Sequence, residues 1–523
     1  MTVSTPTAAS PTVAFEGIES PAAQAQPMTP PVQTKDGDDA SLYGVLRVNS
    51  ILYACVALVL LQPVQFGWSV SQLNLSTFNN EADCNARPVR PGTCLMFPGH
   101  TKGEWMWVVN TWIVGGMIGS LSSGQVSDRL GRKKAMMITA VLMIVGAVIM
   151  AASSTIPVFA VGRFVAGLAS GASTAIPSGY INEISPPHLR NRLGTTFQVA
   201  VGVGIILVGC TYFFANTSSG WRYIGGFPII LGSAFLLGAM SFLIESPAWL
   251  LTKGRQEEAE HELARLFGEE NVKVALSWLS SARDQSVELE HGENNQDETS
   301  SEGSIGEENP WKMLFSPDYR MQTLVAIVVA LSQQLTGINA VFFYSSSFFK
   351  DAGLDDDRIG SIIVNIVNVL PTLFAGALST RFGNRKMMIV GHGIMLAAAV
   401  GMTVALLVES AVVSIVFTAI YVAGFAVSLG PLVFVIISAV FPSSLRATGA
   451  SICLFANWCG TLAVGIGYPY VADALEDLGF LPFIVLLAVF GLFMIKFLPE
   501  TAGKTDDEIL AIFRSKRKAK ALE

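Results

Sequence analysis

Charge is what this 523-residue chain has little of. Asp, Glu, Lys and Arg make up 14% of it, against about 25% in soluble domains, which excludes an ordinary soluble fold. The formal net charge is −7, and no nucleic-acid partner is expected. Six cysteines and five histidines are scattered so that no pair has zinc-type spacing, so no metal site is expected. No nucleophile constellation and no phosphate-binding glycine loop emerges either, so the chain is not expected to be an enzyme or to carry a cofactor. Residues 1–40 lack the basic start and apolar core of a signal peptide; rich in Pro, Thr, Ala and Ser, they read as a disordered tail. The first apolar run must then target the protein.

What is there is hydrophobic residue, 51% of the chain. Twelve runs long and apolar enough to span a bilayer begin near Ile51, Trp105, Ala135, Ile156, Leu193, Ile224, Met321, Ile359, Met387, Ala411, Ala447 and Leu481. Bases concentrate between spans two and three (Arg129, Arg132, Lys133, Lys134), four and five (Arg190, Arg192), and eight and nine (Arg381, Arg385, Lys386), which places those loops and both chain ends in the cytosol. The opposite loops carry two acceptor-like triplets, Asn74-Leu75-Ser76 and Asn216-Thr217-Ser218, which marks the chain as a candidate glycoprotein. Cys84 and Cys94 share the large first outer loop and are expected to form a disulfide, while Cys55, Cys210, Cys453 and Cys459 sit in apolar spans as small hydrophobes.

Within the apolar seventh span, Gln333, Gln334 and Asn339 place three carboxamides. An unpaired amide in an apolar setting costs on the order of 2 kcal/mol or more, so the group implies a water-filled cavity and a ligand with hydroxyls, such as a sugar. In a straight helix Gln334 and Asn339 would point about 140 degrees apart. Gly337 between them permits a break that lets them converge.

An internal repeat divides the chain. Asp128-Arg129-Leu130-Gly131-Arg132-Lys133 recurs as Thr380-Arg381-Phe382-Gly383-Asn384-Arg385-Lys386, and Pro186-Pro187-His188-Leu189-Arg190 as Pro442-Ser443-Ser444-Leu445-Arg446, at offsets of about 252 and 256 residues. Two homologous six-span halves with a site between them make a transporter architecture, all-α and integral to the membrane. The boundaries are a disordered cytosolic tail (1–44), a first half (45–250), a cytosolic linker that is helical from Arg255 to Phe267 and then acidic and disordered (251–316), a second half (317–500) and a cytosolic tail (501–523). Asp128, Arg132, Glu183, Arg190, Arg381 and Arg446 are expected to form the network that shuts the cytosolic face.

Taken together, Gly124 to Lys133, Gly162-Arg163-Phe164, Glu183 to Arg190, Glu245-Ser246-Pro247, Gln333 to Asn339 and Pro499-Glu500-Thr501-Ala502-Gly503 resemble the sugar porter family of the major facilitator superfamily, and within it the facilitative glucose transporters. The resemblance covers about residues 45 to 505. It implies a twelve-helix major facilitator fold and a sugar site between the halves, lined by Gln198, Gln333, Gln334, Asn339, Asn368, Asn457 and Trp458. Each amide offers a donor and an acceptor, as a hydroxyl does. It further implies an outer gate of Phe342, Phe343 and Tyr344.

Departures from the family pattern carry information too. Where proton-coupled members carry an Asp in span one, this chain reads Gln65-Phe66-Gly67-Trp68-Ser69, and Arg163 has no obvious acidic partner. The counterpart of Glu183 is Ala439, the acidic and aromatic positions of span ten fall at Ala426 and Phe434, and Ile244 and Ala248 replace the usual proline and arginine around Glu245-Ser246-Pro247. The expected activity is facilitative hexose uniport with glucose preferred, at the plasma membrane. A proton-coupled sugar or inositol symporter and a non-transporting sugar sensor are the alternatives. The oligomeric state is left open.

Overall fold

In the computed structural model the described residues are 48–79, 81–277, 279, 310–342, 357–408, 410–475, 478–504 and 506–521. The tail before residue 48, the acidic stretch 287–309 and the expected gate residues Phe343 and Tyr344 lie outside them. Among the described residues there is no strand. The first half runs through α1 (Ser50–Val59), α2 (Leu61–Ser71), α3 (Lys102–Leu130), α4 (Arg132–Ala152), α5 (Ile156–Ile184), α6 (Pro187–Thr211), α7 (Gly220–Gly226) and α8 (Pro228–Ser241). After it come α9 (Pro247–Thr252) and the linker helix α10 (Gln256–Phe267), which begins one residue after the expected Arg255. The second half comprises α11 (Arg320–Leu335), α12 (Asp357–Phe382), α13 (Asn384–Leu407), α14 (Ala411–Val427), α15 (Leu429–Val440), α16 (Ser443–Leu475) and α17 (Leu481–Phe497), followed by α18 (Asp506–Ala521).

Ten of these stretches are long and apolar enough to cross a membrane. The other two spans are the 17-residue α17 and α3, which complete the twelve-helix arrangement read from the sequence. Thr101 and Glu104 cap the start of α3 reciprocally. One side of α3 is lined by the buried small residues Gly115, Gly116, Gly119, Ser120 and Ser123, which dilute its hydropathy. They let the α3 and α5 backbones touch: a Cβ at Gly119 would lie 2.1 Å from Leu168 O, and one at Gly167 2.2 Å from Trp112 O. Small residues that permit this closeness replace the hydrophobic drive that lipid removes. We expect Gly119→Val to lower the melting temperature of the purified protein sharply, through overpacking of about 3 kcal/mol or more. An unchanged melting temperature would contradict the contact.

The halves meet along α3 with α16 and along α6 with α12. They also touch at both ends of the bundle. At the end opposite the basic loops Asn74 Nδ2 donates to Phe342 O (2.8 Å). At the end carrying the basic loops Asn182 Nδ2 donates to Ser438 Oγ (3.2 Å), and the Phe197 and Phe434 rings lie 5.0 Å apart. In the loop between α2 and α3 Cys84 and Cys94 are joined in a disulfide, and Cys55, Cys210, Cys453 and Cys459 are free.

Candidate functional site

The seventh span breaks where the sequence said it could. α11 ends at Leu335, Thr336 follows, and Gly337 takes φ +97° before helix resumes at Ile338. The turn reverses the phase that separates Gln334 from Asn339, and Asn339 Nδ2 donates to Gln334 Oε1. The freed Thr336 carbonyl is taken by the buried Tyr421 hydroxyl of α14, a residue the sequence reading did not select. A lone tyrosine inside an apolar span was its only signal.

Around this break the amides form one chain of hydrogen bonds. Gln334 Nε2 donates to Asn457 Oδ1 (2.9 Å) and to Gln333 Oε1 (3.1 Å). Asn457 Nδ2 donates to Gln333 Oε1 (2.8 Å) and to Ala330 O (2.9 Å). Gln333 Nε2 donates to the carbonyls of Leu429 (2.9 Å) and Gly430 (3.0 Å). Those carbonyls are exposed by a second break, at Ser428 between α14 and α15 (φ −129°, ψ −91°). Gln333 is thus saturated at both ends and serves as an anchor. Gln334, Asn339 and Asn457 satisfy one another and still hold acceptor capacity. In a buried setting this mutual pairing removes the cost of isolated amides while leaving bonds that a hydroxyl can exchange.

Two expected members stand apart. Gln198 (α6) and Asn368 (α12) are buried but outside this chain of bonds. They are near one another on facing helices: a Cβ at Gly202, one turn beyond Gln198, would lie 3.9 Å from Asn368 Nδ2. Among the described residues Asn368 Oδ1 has no hydrogen-bond partner. The bonded cluster belongs to the second half. The first half supplies rings instead. Trp458, 3% exposed, meets Trp112 at 5.1 Å and Phe66 at 5.8 Å between centroids. Of the expected gate, Phe342 is buried and its carbonyl accepts from Asn74.

At the basic-loop end Arg132 ties together residues of the first half. Arg132 grips Glu183 with Nε (3.0 and 3.2 Å) and Nη2 (2.8 Å), and Asp128 with Nη1 (2.8 Å). Ser246 Oγ also donates to Glu183, and Trp249 Nε1 to Asp128 O (2.9 Å). Arg190 Nε donates to Ser185 O (3.2 Å), and Arg446 is half-buried at the start of α16. Arg381 does not join: it is exposed, with its guanidinium 5.5 Å from the Phe382 ring. The position equivalent to Arg132 is Asn384, whose Nδ2 donates to Thr501 Oγ1 (2.9 Å).

One device is shared by both halves and was not assigned a role from sequence. Glu245 Oε1 accepts from the Arg132 (2.8 Å) and Lys133 (3.2 Å) amides, capping α4. Glu500 accepts in the same way from Asn384 (2.8 Å) and Arg385 (3.2 Å), capping α13. A carboxylate here offsets the positive end of the helix dipole. Burial pushes the Glu245 carboxyl upward in pKa, and the Ser246, Lys133 and Arg132 amides pull it back down. Each cap sits where Gly131 (φ +91°) or Gly383 (φ +87°) has no side chain, since a Cβ would lie 2.3 and 2.4 Å from the two carboxylates.

Comparison with known proteins agrees with this anatomy. The family model described as "Sugar (and other) transporter" matches residues 52–513. The human solute carrier family 2, facilitated glucose transporter member 4, is 33% identical over 485 residues, covering 89% of this chain and 91% of that protein. The glucose transporter GlcP of Staphylococcus epidermidis is 31% identical, covering 77% and 87%. The solved major facilitator proton:xylose symporter XylE with 6-bromo-6-deoxy-D-glucose bound superposes with a TM-score of 0.75 at 25% identity, covering 88% of this chain and 99% of that one. Twelve membrane helices in two repeated halves, a broken amide-bearing seventh span and a family match over nearly the whole bundle lead to one statement: this multi-pass membrane protein belongs to the sugar transporter family of the major facilitator superfamily.

Proposed function

We propose that the protein carries a hexose, with glucose preferred, across the plasma membrane by facilitative uniport. The observation that carries this reading is the cluster of Gln334, Asn339 and Asn457, whose amides are satisfied by one another. A sugar hydroxyl, donor and acceptor at once, substitutes for an amide partner at little net cost. Trp458 beside Asn457 supplies a flat apolar face for the ring. Rocking of one half against the other then exposes the sugar to the cytosol. The two sequence relatives named above support the substrate class, since both are named as glucose transporters.

Uniport is favoured by the first span. Gln65 Nε2 donates to Ser69 Oγ (3.0 Å), and Arg163 Nη1 donates to Ser69 O (3.1 Å). Among the described residues Arg163 has no ion pair with a carboxylate. Proton coupling needs a group that changes protonation during the cycle, and an amide at position 65 does not.

Counter-flow in proteoliposomes with a panel of labelled sugars at two pH values tests substrate and coupling together. The expected outcome is glucose exchange of similar rate at both pH values, no accumulation above equilibrium, and no effect of a protonophore. Accumulation that collapses with a protonophore would replace uniport by proton symport. Sugar binding without equilibration across the membrane would make the protein a sensor.

A further inference from the structure

We propose that Arg358 is a latch between the halves, fastening the end of the bundle opposite the basic loops and setting how often that end opens. The proposal rests on the carrier reading, in which that end faces outward and the halves rock. Arg358 stands in the first turn of α12, in the second half. Its Nη1 donates to Tyr212 O (3.4 Å), and its guanidinium carbon lies 4.9 Å from the centre of the Phe213 ring. Both partners belong to the first half, where α6 ends at Thr211.

The end of α6 is suited to a cation. The last carbonyls of a helix lack intrahelical donors, and the helix dipole leaves them partly negative. Here the amides of Tyr212, Phe213 and Ala215 turn back to Gly209, Cys210 and Thr211, and the Tyr212 carbonyl takes a hydrogen bond from the other half. The Phe213 ring adds cation–π attraction to the same guanidinium. Tyr212 is itself fixed: it is 3% exposed, and its hydroxyl donates to the carbonyl of Ser71 at the end of α2. One side chain of α12 is thereby tied to the ends of α6 and α2 together.

The close approaches of α6 and α12 keep one antiparallel register that leads to this bond. A Cβ at Gly202 would lie 2.4 Å from Val369 Cγ2, and one at Gly209 would lie 3.4 Å from Ile362 Cγ1. The next rung outward pairs Tyr212 with Arg358, roughly 15 Å from Gly202 at about 1.5 Å per residue. When the halves rock about the middle of the bundle, displacement is greatest at its ends. The rung at Arg358 therefore breaks on opening, and its bonds favour the shut state alone.

The test follows the full chain by cysteine labelling with a membrane-impermeant maleimide, in a background carrying Cys210→Ser and Cys459→Ser. Val109→Cys reports the end opposite the basic loops, since Val109 lines a cavity there with Gly465 of the second half. Val435→Cys reports the other end, where Val435 Cγ2 would be 3.8 Å from a Cβ at Gly194 of the first half. In sealed right-side-out vesicles Arg358→Gln speeds labelling at position 109 by about tenfold, the worth of one charge-assisted hydrogen bond, and Arg358→Lys has a smaller effect. In inside-out vesicles Arg358→Gln slows labelling at position 435, because a population moved to one state leaves the other. Should Arg358→Gln insert poorly, Phe213→Leu gives the same two directions with smaller size. Unchanged rates at both positions overturn the latch, and so do faster rates at both, which mark a loosened fold. Counter-flow on the unaltered protein runs in parallel: absence of flux for every sugar sinks the carrier reading, while the labelling arms still decide the latch.

Discussion

Replacing Asn339 with alanine is expected to cut sugar uptake by about tenfold or more, with normal insertion and yield. Asn339 is 7% exposed and, among the described residues, its amide nitrogen donates across the Gly337 break to Gln334. Its loss leaves the membrane-spanning scaffold intact but removes both a donor and an acceptor from the cluster. Gln334→Ala is expected to do at least as much, because Gln334 ties Asn339 to Asn457 and Gln333. Gln333→Ala differs in kind. Its amide holds the α14–α15 break through Leu429 and Gly430, so both stability and uptake fall. Measuring uptake per inserted molecule together with thermal stability separates the cases. Full uptake in the Asn339 and Gln334 variants would remove the cluster from the sugar's path.

The second large effect is expected at Arg132. Arg132→Ala strips Glu183 of its bidentate partner, and a half-buried carboxylate left this way costs about 3 kcal/mol; the side chains are 13% and 20% exposed. Uptake should fall by more than about tenfold as the cytosolic face loses its tie. Combining it with Glu183→Gln should recover about 1 kcal/mol or more of stability, because the orphaned charge is gone. The matching change in the second half, Asn384→Ala, removes one neutral hydrogen bond to Thr501 and should cost only about 1 kcal/mol. Thermal melts of the three variants check the asymmetry. Equal losses at Arg132 and Asn384 would refute it.

What the sequence made legible follows from how local each signal is. Long apolar runs located every span, because lipid demands about 20 such residues in a row. The seventh-span break was legible because Gly337 lies between two amides that a regular helix would have kept apart. The break at Ser428 was harder, since the run is apolar on both sides; Pro431, which cannot donate to a preceding turn, was the available hint. The roles of Glu245 and Glu500 were not legible, because each caps a helix that starts more than a hundred residues earlier in the chain. Arg381 was misassigned although the repeat itself held the answer: in register it matches Arg129, and Asn384 matches Arg132.

The hydrogen bond from Asn74 to Phe342 has a consequence for modification of the outer surface. Asn74 opens one of the two acceptor triplets, yet its Nδ2 is the atom an oligosaccharide would occupy, and here that atom fastens the first span to the seventh. A glycan on it would act as a doorstop, holding those helix ends apart. Asn216 accepts from Thr77 through its oxygen and sits half-buried beside the exposed Thr217 and Ser218. Of the two, it is the acceptor whose decoration leaves the door free to swing.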